Sequence, residues 1–256
     1  MKFTHVRNAT AVLTIGGTRI LVDPMLGAKG SSGPAPTTVD DHSRNPLVDL
    51  VTPLEDVLDV DAVLVTHTHP DHWDGAAAAL LDRGLPIFAQ NDGDAEVFAQ
   101  VGFTDVRIVD DSLAFGDVTI TRTRAQHGSD AVLARWGEAM GQVSGYVLAA
   151  EGEPTVYIVG DAVWTAEIAD ELRTHRPDVT VLNTGEARWA DGSKIIMGAV
   201  DVAEVHNAAP EAQIVAVHME ALNHCVVTRE DVRRTAESGG YADRVLTPAD
   251  GETLAF

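Results

Sequence analysis

The chain has 256 residues and a formal charge of −21, from 18 Lys and Arg against 39 Asp and Glu. That length fits one large α/β domain or two small ones and buries enough surface to fold without a staple. The acidity excludes the basic surface on which nucleic-acid binding rests, and the single cysteine, Cys225, excludes an internal disulfide or a thiolate-rich zinc site.

Residues 1–7 carry no apolar leader region, and no apolar run approaches the roughly 18–20 residues of a membrane span. The sequence therefore reads as a soluble cytoplasmic protein with no membrane or nucleic-acid partner, a small-molecule substrate, and a homo-oligomer left open. In chain order, β-rich runs at 3–6, 11–15 and 19–22 come first, the last two joined as a hairpin by Gly16-Gly17. Residues 27–46, rich in Gly, Ser, Pro and Asp, read as a long loop and a candidate lid. From residue 61 strands alternate with helices. Strands are predicted at 62–65, 86–89, 106–109, 118–123 and 146–149, and helices at 75–82 and 94–101. The second half repeats the scheme, with strands at 155–159, 179–182 and 214–217 and helices at 165–175, 200–208 and 229–238. Short strands at 245–247 and 253–256 close the sheet. The pattern predicts one domain, 1–256, of two packed sheets with helices outside.

The sharpest feature is Thr66-His67-Thr68-His69-Pro70-Asp71-His72-Trp73-Asp74-Gly75, between a buried strand and a helix. His67 and His69 are two apart, so on an extended segment their rings share a side. Pro70, Asp71 and Asp74 suit a helix start. Neutral imidazoles and carboxylates are the ligands of zinc, iron or manganese. Four such residues within six positions outweigh a chance polar turn. His127, Asp161 and His218 each follow a later strand. Alone, each would more often be a cap or a surface residue; together they fall on the sheet edge where ligands converge in α/β folds.

His67-x-His69-x-Asp71-His72 followed by His127, Asp161 and His218 resembles the metallo-β-lactamase superfamily of dinuclear hydrolases. The resemblance runs from Leu21-Val22-Asp23-Pro24 to the 218–224 segment. It is nearest to the branch of the ascorbate-phosphate lactonase, on residues 66–75, Gly160-Asp161-Ala162, Ile196-Met197 and His218-Met219-Glu220-x-x-x-His224. It implies an α/β fold, the αβ/βα four-layer sandwich of two mixed sheets with helices outside. It also implies two divalent metal ions, zinc or manganese with iron as a further candidate. His67, His69 and His127 would hold the first, Asp71, His72 and His218 the second, and Asp161 would bridge them. Asp23 would support the metal loop from behind or simply cap the turn before Pro24.

Such a centre would lower the pKa of a bridging water and direct it at a small-molecule ester, lactone or phosphodiester. Asp71 is the candidate to shuttle the proton, and His224 to contact the substrate or polarise its oxyanion. Trp136 and Trp189, placed in loops, are the candidates for an apolar pocket wall, whereas Trp73 and Trp164 suit the core equally well. Arg135 and Arg188 could hold an anion, and His42 could reach the substrate from the lid. Cys225 has no activating partner in sequence and reads as a small packed residue. The rivals are a nuclease or RNA-processing enzyme, disfavoured by only three lysines, a mononuclear iron oxygenase of the same fold, and a non-catalytic protein that keeps the fold. A flavin-linked diiron reductase fails, because its usual glutamate is replaced by His69.

Overall fold

The computed structural model describes residues 1–256. β-Branched runs separated by turns at Asn8 and Gly16-Gly17 build an antiparallel meander of β1 (Lys2–Arg7), β2 (Thr10–Ile15) and β3 (Thr18–Val22). Gly16 and Gly17 both have positive φ, 57° and 72°, which a two-residue hairpin turn of the primed kind requires.

Parallel strands then extend this sheet. α1 (Leu54–Leu58) leads to β4 (Ala62–Leu64), α2 (Gly75–Leu80) to β5 (Ile87–Ala89), and α3 (Asp92–Gln100) to β6 (Val106–Ile108). The second sheet opens with antiparallel β7 (Ser112–Phe115) and β8 (Val118–Arg124). After α4 (Asp130–Met140) it continues through β9 (Ser144–Ala150), β10 (Val156–Ile158), α5 (Ala166–His175), β11 (Val179–Asn183), α6 (Ala199–Ala208), β12 (Gln213–Val217), α7 (Arg229–Gly239) and β13 (Val245–Leu246). Last, β14 (Thr253–Ala255) returns to pair with β1. Seven strands lie in each sheet, in the orders β14-β1-β2-β3-β4-β5-β6 and β13-β12-β11-β10-β9-β8-β7.

The sheets face each other across Leu13, Ile20, Leu64 and Phe88 on one side and Ile120, Leu148, Ile158 and Val215 on the other. The outer face of the first sheet carries α1, α2 and α3 through Val57, Ala77 and Phe98. That of the second carries α5, α6 and α7 through Leu172, Val205 and Val232. This is the expected αβ/βα sandwich with two mixed sheets. The parallel strands read as continuous apolar runs because both of their faces are covered. No helix is long and apolar enough to cross a membrane.

Three differences bear on the site. The segment after His127 is not a loop but α4, started by Ser129, whose side chain accepts from the Val132 amide. Val132 and Met140 are its buried residues, and Gly137 beside the kink at Trp136 gives the segment the look of a loop in the sequence. α2 ends at Leu80, two residues short of the prediction, and Asp74 caps its start by accepting from the Ala77 amide at 2.7 Å. The two C-terminal strands do not close one sheet together: β13 edges the second sheet and β14 the first.

Candidate metal centre

β4, β8, β10 and β12 end at one edge of the sandwich, and the segments leaving them carry the predicted residues. His67, His69, Asp71 and His72 follow β4, His127 follows β8, Asp161 follows β10, and His218 comes directly after β12. The structure gathers all seven into two groups, His67–His69–His127 and Asp71–His72–Asp161–His218. Within each group every member offers a ligand atom within 4.8 Å of the others.

In the first group His67 Nε2 lies 3.1 Å from His69 Nδ1. In the second, His218 Nε2 lies 3.1 Å from Asp71 Oδ2 and 3.3 Å from His72 Nε2. Asp161 stands between the groups: Oδ1 is 3.3 Å from His72 Nε2 and Oδ2 is 3.8 Å from His127 Nε2.

Each imidazole has its outer nitrogen engaged elsewhere. His67 Nδ1 donates to Thr66 Oγ1 at 3.0 Å, His69 Nε2 to the Ala139 carbonyl at 3.1 Å, and His127 Nδ1 to the Ile195 carbonyl at 2.8 Å. His72 Nδ1 donates to Asp23 Oδ2 at 2.8 Å, and His218 Nδ1 lies 3.6 Å from Cys225 Sγ. With the outer nitrogen engaged there, the inner nitrogen of each ring is the one left to face the group and, in the neutral ring, to bind a cation. That is the arrangement in which histidines bind metals. The donor chemistry therefore fits two divalent ions.

The electrostatics agree. Burial disfavours a charged His72, but the nearby charges of Asp161, Asp23 and Asp71 outweigh it and push its pKa up to about 10. Burial is overcome in the same way at His218, raised well above the usual imidazole range by Asp161 and Asp71. Asp161 is held well below the carboxylate range, its own burial outweighed by His72 and His218. His67, by contrast, is kept neutral by burial and by its histidine neighbours. Close-set carboxylates of this kind demand positive charge in the site.

Local backbone explains the placement. Gly160 has φ 72°, and a Cβ there would stand 2.9 Å from the Ser144 carbonyl, so glycine must precede Asp161. Asp23 (φ 44°) and His218 (φ 63°) adopt the left-handed conformation uncommon for residues other than glycine. Asp23 takes the supporting role rather than the turn cap: Oδ1 accepts from the Thr66 amide at 2.7 Å, while Oδ2 accepts from the Thr66 hydroxyl at 2.8 Å as well as from His72.

Sequence reasoning misses two further supports. Asn183, the last residue of β11, donates to Asp161 Oδ1 at 2.6 Å. Asn8 donates to the Asp71 carbonyl at 3.1 Å, and its own carbonyl accepts from the His218 amide at 3.0 Å, so the β1–β2 turn ties the two segments together. A polar residue ending an apolar strand at the ligand edge is the signal that points to Asn183.

A cavity of about 410 Å³ opens over both groups. His69, Asp71, His127 and Asp161 reach it from the centre, and Trp189, Ile195, Leu222 and Met25 wall it. No Lys or Arg lines it. His224 does, with Nδ1 buried and unpartnered and burial drawing its pKa down to about 4.

Trp136 requires correction. It sits inside α4, at a kink (φ −127°, ψ 15°), donates from Nε1 to Asp191 Oδ2 at 2.9 Å, and is not part of the cavity wall. Trp73 packs in the core against Phe98 and Phe103, and Trp164 packs against the cluster under α5–α7. Arg135 stacks on Trp136 and Arg188 pairs with Glu186, so neither faces the cavity. His42 is exposed beside Asp40.

Residues 18–219 match the family model of the β-lactamase superfamily domain. The chain is 38% identical over 257 residues to the UPF0173 protein YddR of Bacillus subtilis (strain 168), with both chains fully covered. Among solved structures, it is similar to an isothiocyanate hydrolase from Delia radicum gut bacteria, at 42% identity and TM-score 0.96 over 100% of this chain and 99% of that one. It is similar also to a possible metal-dependent hydrolase from Veillonella parvula DSM 2008, at 40% identity and TM-score 0.97 with the same coverage. Fold, matched span and full-length relatives together establish that the chain belongs to the β-lactamase superfamily.

Proposed function

We propose that the protein is a dinuclear metal-dependent hydrolase that adds water to a small uncharged organic electrophile. The observation that carries this is the pair of donor groups meeting at Asp161 beneath a cavity without a single Lys or Arg. His67, His69 and His127 would hold one ion and Asp71, His72 and His218 the other, with Asp161 shared. Zinc or manganese, with iron a further candidate, would supply an acidified water and stabilise the negative charge that develops on the attacked group.

The chain's own residues do the rest. Asp71 keeps a carboxylate at the cavity floor, where it can accept a proton and return it to the leaving group. His224, neutral and with an unpaired nitrogen, can donate to or accept from a substrate heteroatom. The apolar wall excludes water and holds an organic tail.

The uncharged substrate is inferred from the wall. A phosphodiester or a sugar phosphate would bring an anion into a cavity that offers no side-chain cation. An ester or lactone carbonyl needs none. A second reading is favoured by the 42% identity to an isothiocyanate hydrolase over the whole chain. There water adds to the central carbon of R–N=C=S, and cleavage of the C–N bond releases the amine R–NH2 and carbonyl sulfide. The site demands the same things for this as for an ester: an acidified water, a proton shuttle and an apolar seat for R.

Elemental analysis of protein purified without chelator is the test, followed by a panel of esters, lactones, isothiocyanates and phosphodiesters. About two equivalents per chain and turnover of uncharged members are expected. Metal-free protein even after reconstitution overturns the dinuclear reading, and turnover of phosphodiesters alone overturns the substrate class.

A further inference from the structure

We propose that residues 31–46 form the wall that selects substrates by the size of their apolar tail, and that Asn223 is the positioning residue that sets this wall. The proposal rests on the hydrolase reading above.

The segment contains no helix or longer strand. Its ends are pinned to each other, since the Ser32 amide donates to the Asn45 carbonyl at 2.8 Å and the Asn45 amide donates back at 3.1 Å. The residues between them make a compact excursion, an Ω-loop. A loop with so few buried apolar groups needs another anchor, and Asn223 supplies it.

Asn223 is 3% exposed and spends its whole side chain on the segment. Oδ1 accepts from the Ala35 amide and from Asn45 Nδ2, both at 2.9 Å, and Nδ2 donates to the Asp41 carbonyl at 2.8 Å. Its backbone amide donates to Asn45 Oδ1 at 3.0 Å. One buried amide thus fixes the excursion at three places. At its far side the segment approaches the Trp189 loop, where a Cβ on Gly192 would meet Thr38 Oγ1 at 3.2 Å. The wall therefore bridges the mouth of the cavity from the His218–His224 segment to the Trp189 loop.

What it presents inward is Ser32, Gly33, Pro34, Ala35, Pro36 and Asn45. Its ionisable residues Asp40, Asp41, His42 and Arg44 do not line the cavity, and all but the half-buried Asp41 are exposed. The end of the cavity near Asp71 and Asp161 is polar, while this end is small, neutral and partly backbone. Such a surface reads no functional group; it reads shape. Each methylene buried against it lowers KM about fourfold until the wall is reached.

The test uses the metal-loaded full chain and a homologous series of n-alkyl esters and isothiocyanates. Wild type shows KM falling with tail length and then a sharp limit. In Asn223→Ala the ratio of kcat/KM for long over short members changes at least tenfold, with metal content unaltered. Trypsin cuts after Arg44 at least tenfold faster in that variant, because Arg44, which donates from Nε to the Gly30 carbonyl at 2.7 Å, loses the frame that holds it. Ala35→Leu leaves the clamp intact and narrows the wall, so long members lose at least tenfold relative to short ones. That variant carries the test if Asn223→Ala does not fold. An unchanged ratio in both variants, with wild type turning the series over, overturns the wall. No turnover by metal-loaded wild type counts instead against the hydrolase reading, and the proteolysis result still judges the clamp.

Discussion

Asp23→Asn exchanges one oxygen for an amide nitrogen and removes one charge behind the second donor group. Asp23 is 1% exposed, and all three of its partners are fixed. Oδ1 faces the Thr66 backbone N–H and must remain an acceptor. The new nitrogen therefore takes the place of Oδ2, 2.8 Å from both Thr66 Oγ1 and His72 Nδ1. The hydroxyl can turn round. The imidazole can relieve two opposed N–H groups only by moving its proton to Nε2, the nitrogen facing Asp71, Asp161 and His218. That tautomer has no inner lone pair to give a cation. Loss of an outer partner typically lowers metal affinity by about 10–100-fold. Inversion of the tautomer places this variant at the upper end, about 100-fold, or about 2.7 kcal/mol. Titration of the apoprotein with zinc or manganese by calorimetry, in competition with a chelator of known affinity, reads the two equivalents separately. One equivalent should weaken by about two orders of magnitude while the other moves a few-fold. Two equivalents bound within about threefold of wild type would show that His72 is not held for metal by Asp23, and the reasoning from outer-nitrogen partners would fall with it.

Three further outcomes follow from the same geometry. Asp161→Ala removes the one carboxylate that reaches both groups, so elemental analysis should show the loss of at least one equivalent together with nearly all hydrolysis; full content and activity would refute the shared role. Trp189→Ala removes apolar wall without touching the centre, and steady-state kinetics should show KM for long-tailed substrates rising roughly three- to tenfold with kcat held. Burial holds the His224 pKa near 4, below the ordinary imidazole value, so its ring is neutral through the whole range from pH 5.5 to 9 and protonates only in stronger acid. His224→Gln should therefore lower kcat/KM by about one order of magnitude and leave the shape of its pH profile unchanged; a limb near pH 6 present in wild type and lost in the variant would contradict a neutral His224.

Legibility in the sequence divides along a physical line. Strands and most helices are readable because burial imposes a period: 62–65 and 214–217 are apolar throughout since sheet and helix cover both faces. α4 escapes because Gly137 lies within it and the backbone kinks at Trp136, so the segment reads as a loop, and with it goes the placement of Trp136. The inward residues of the centre are readable for a different reason. In a chain with a single cysteine, histidine and carboxylates are left to do that chemistry, and strand ends are where a fold of this kind delivers them. What holds those residues leaves no such trace. Asn8 lies 63 positions from Asp71, Asn183 lies 22 from Asp161, and Asn223 lies 188 from Ala35. Apart from the place of Asn183 at the end of an apolar strand, neither residue type nor spacing marks them, because each makes ordinary amide hydrogen bonds that any asparagine could make, and only the assembled sheets bring the partners together. The same reasoning accounts for the long polar segment. Its composition announces a loop, but its path is decided by one buried amide far along the chain, and that path turns a candidate lid into the part of the cavity that sees the substrate's tail. In a fold shared by many chemistries, the residues that make water reactive are therefore the ones a sequence displays, and those that choose the substrate are the ones it conceals.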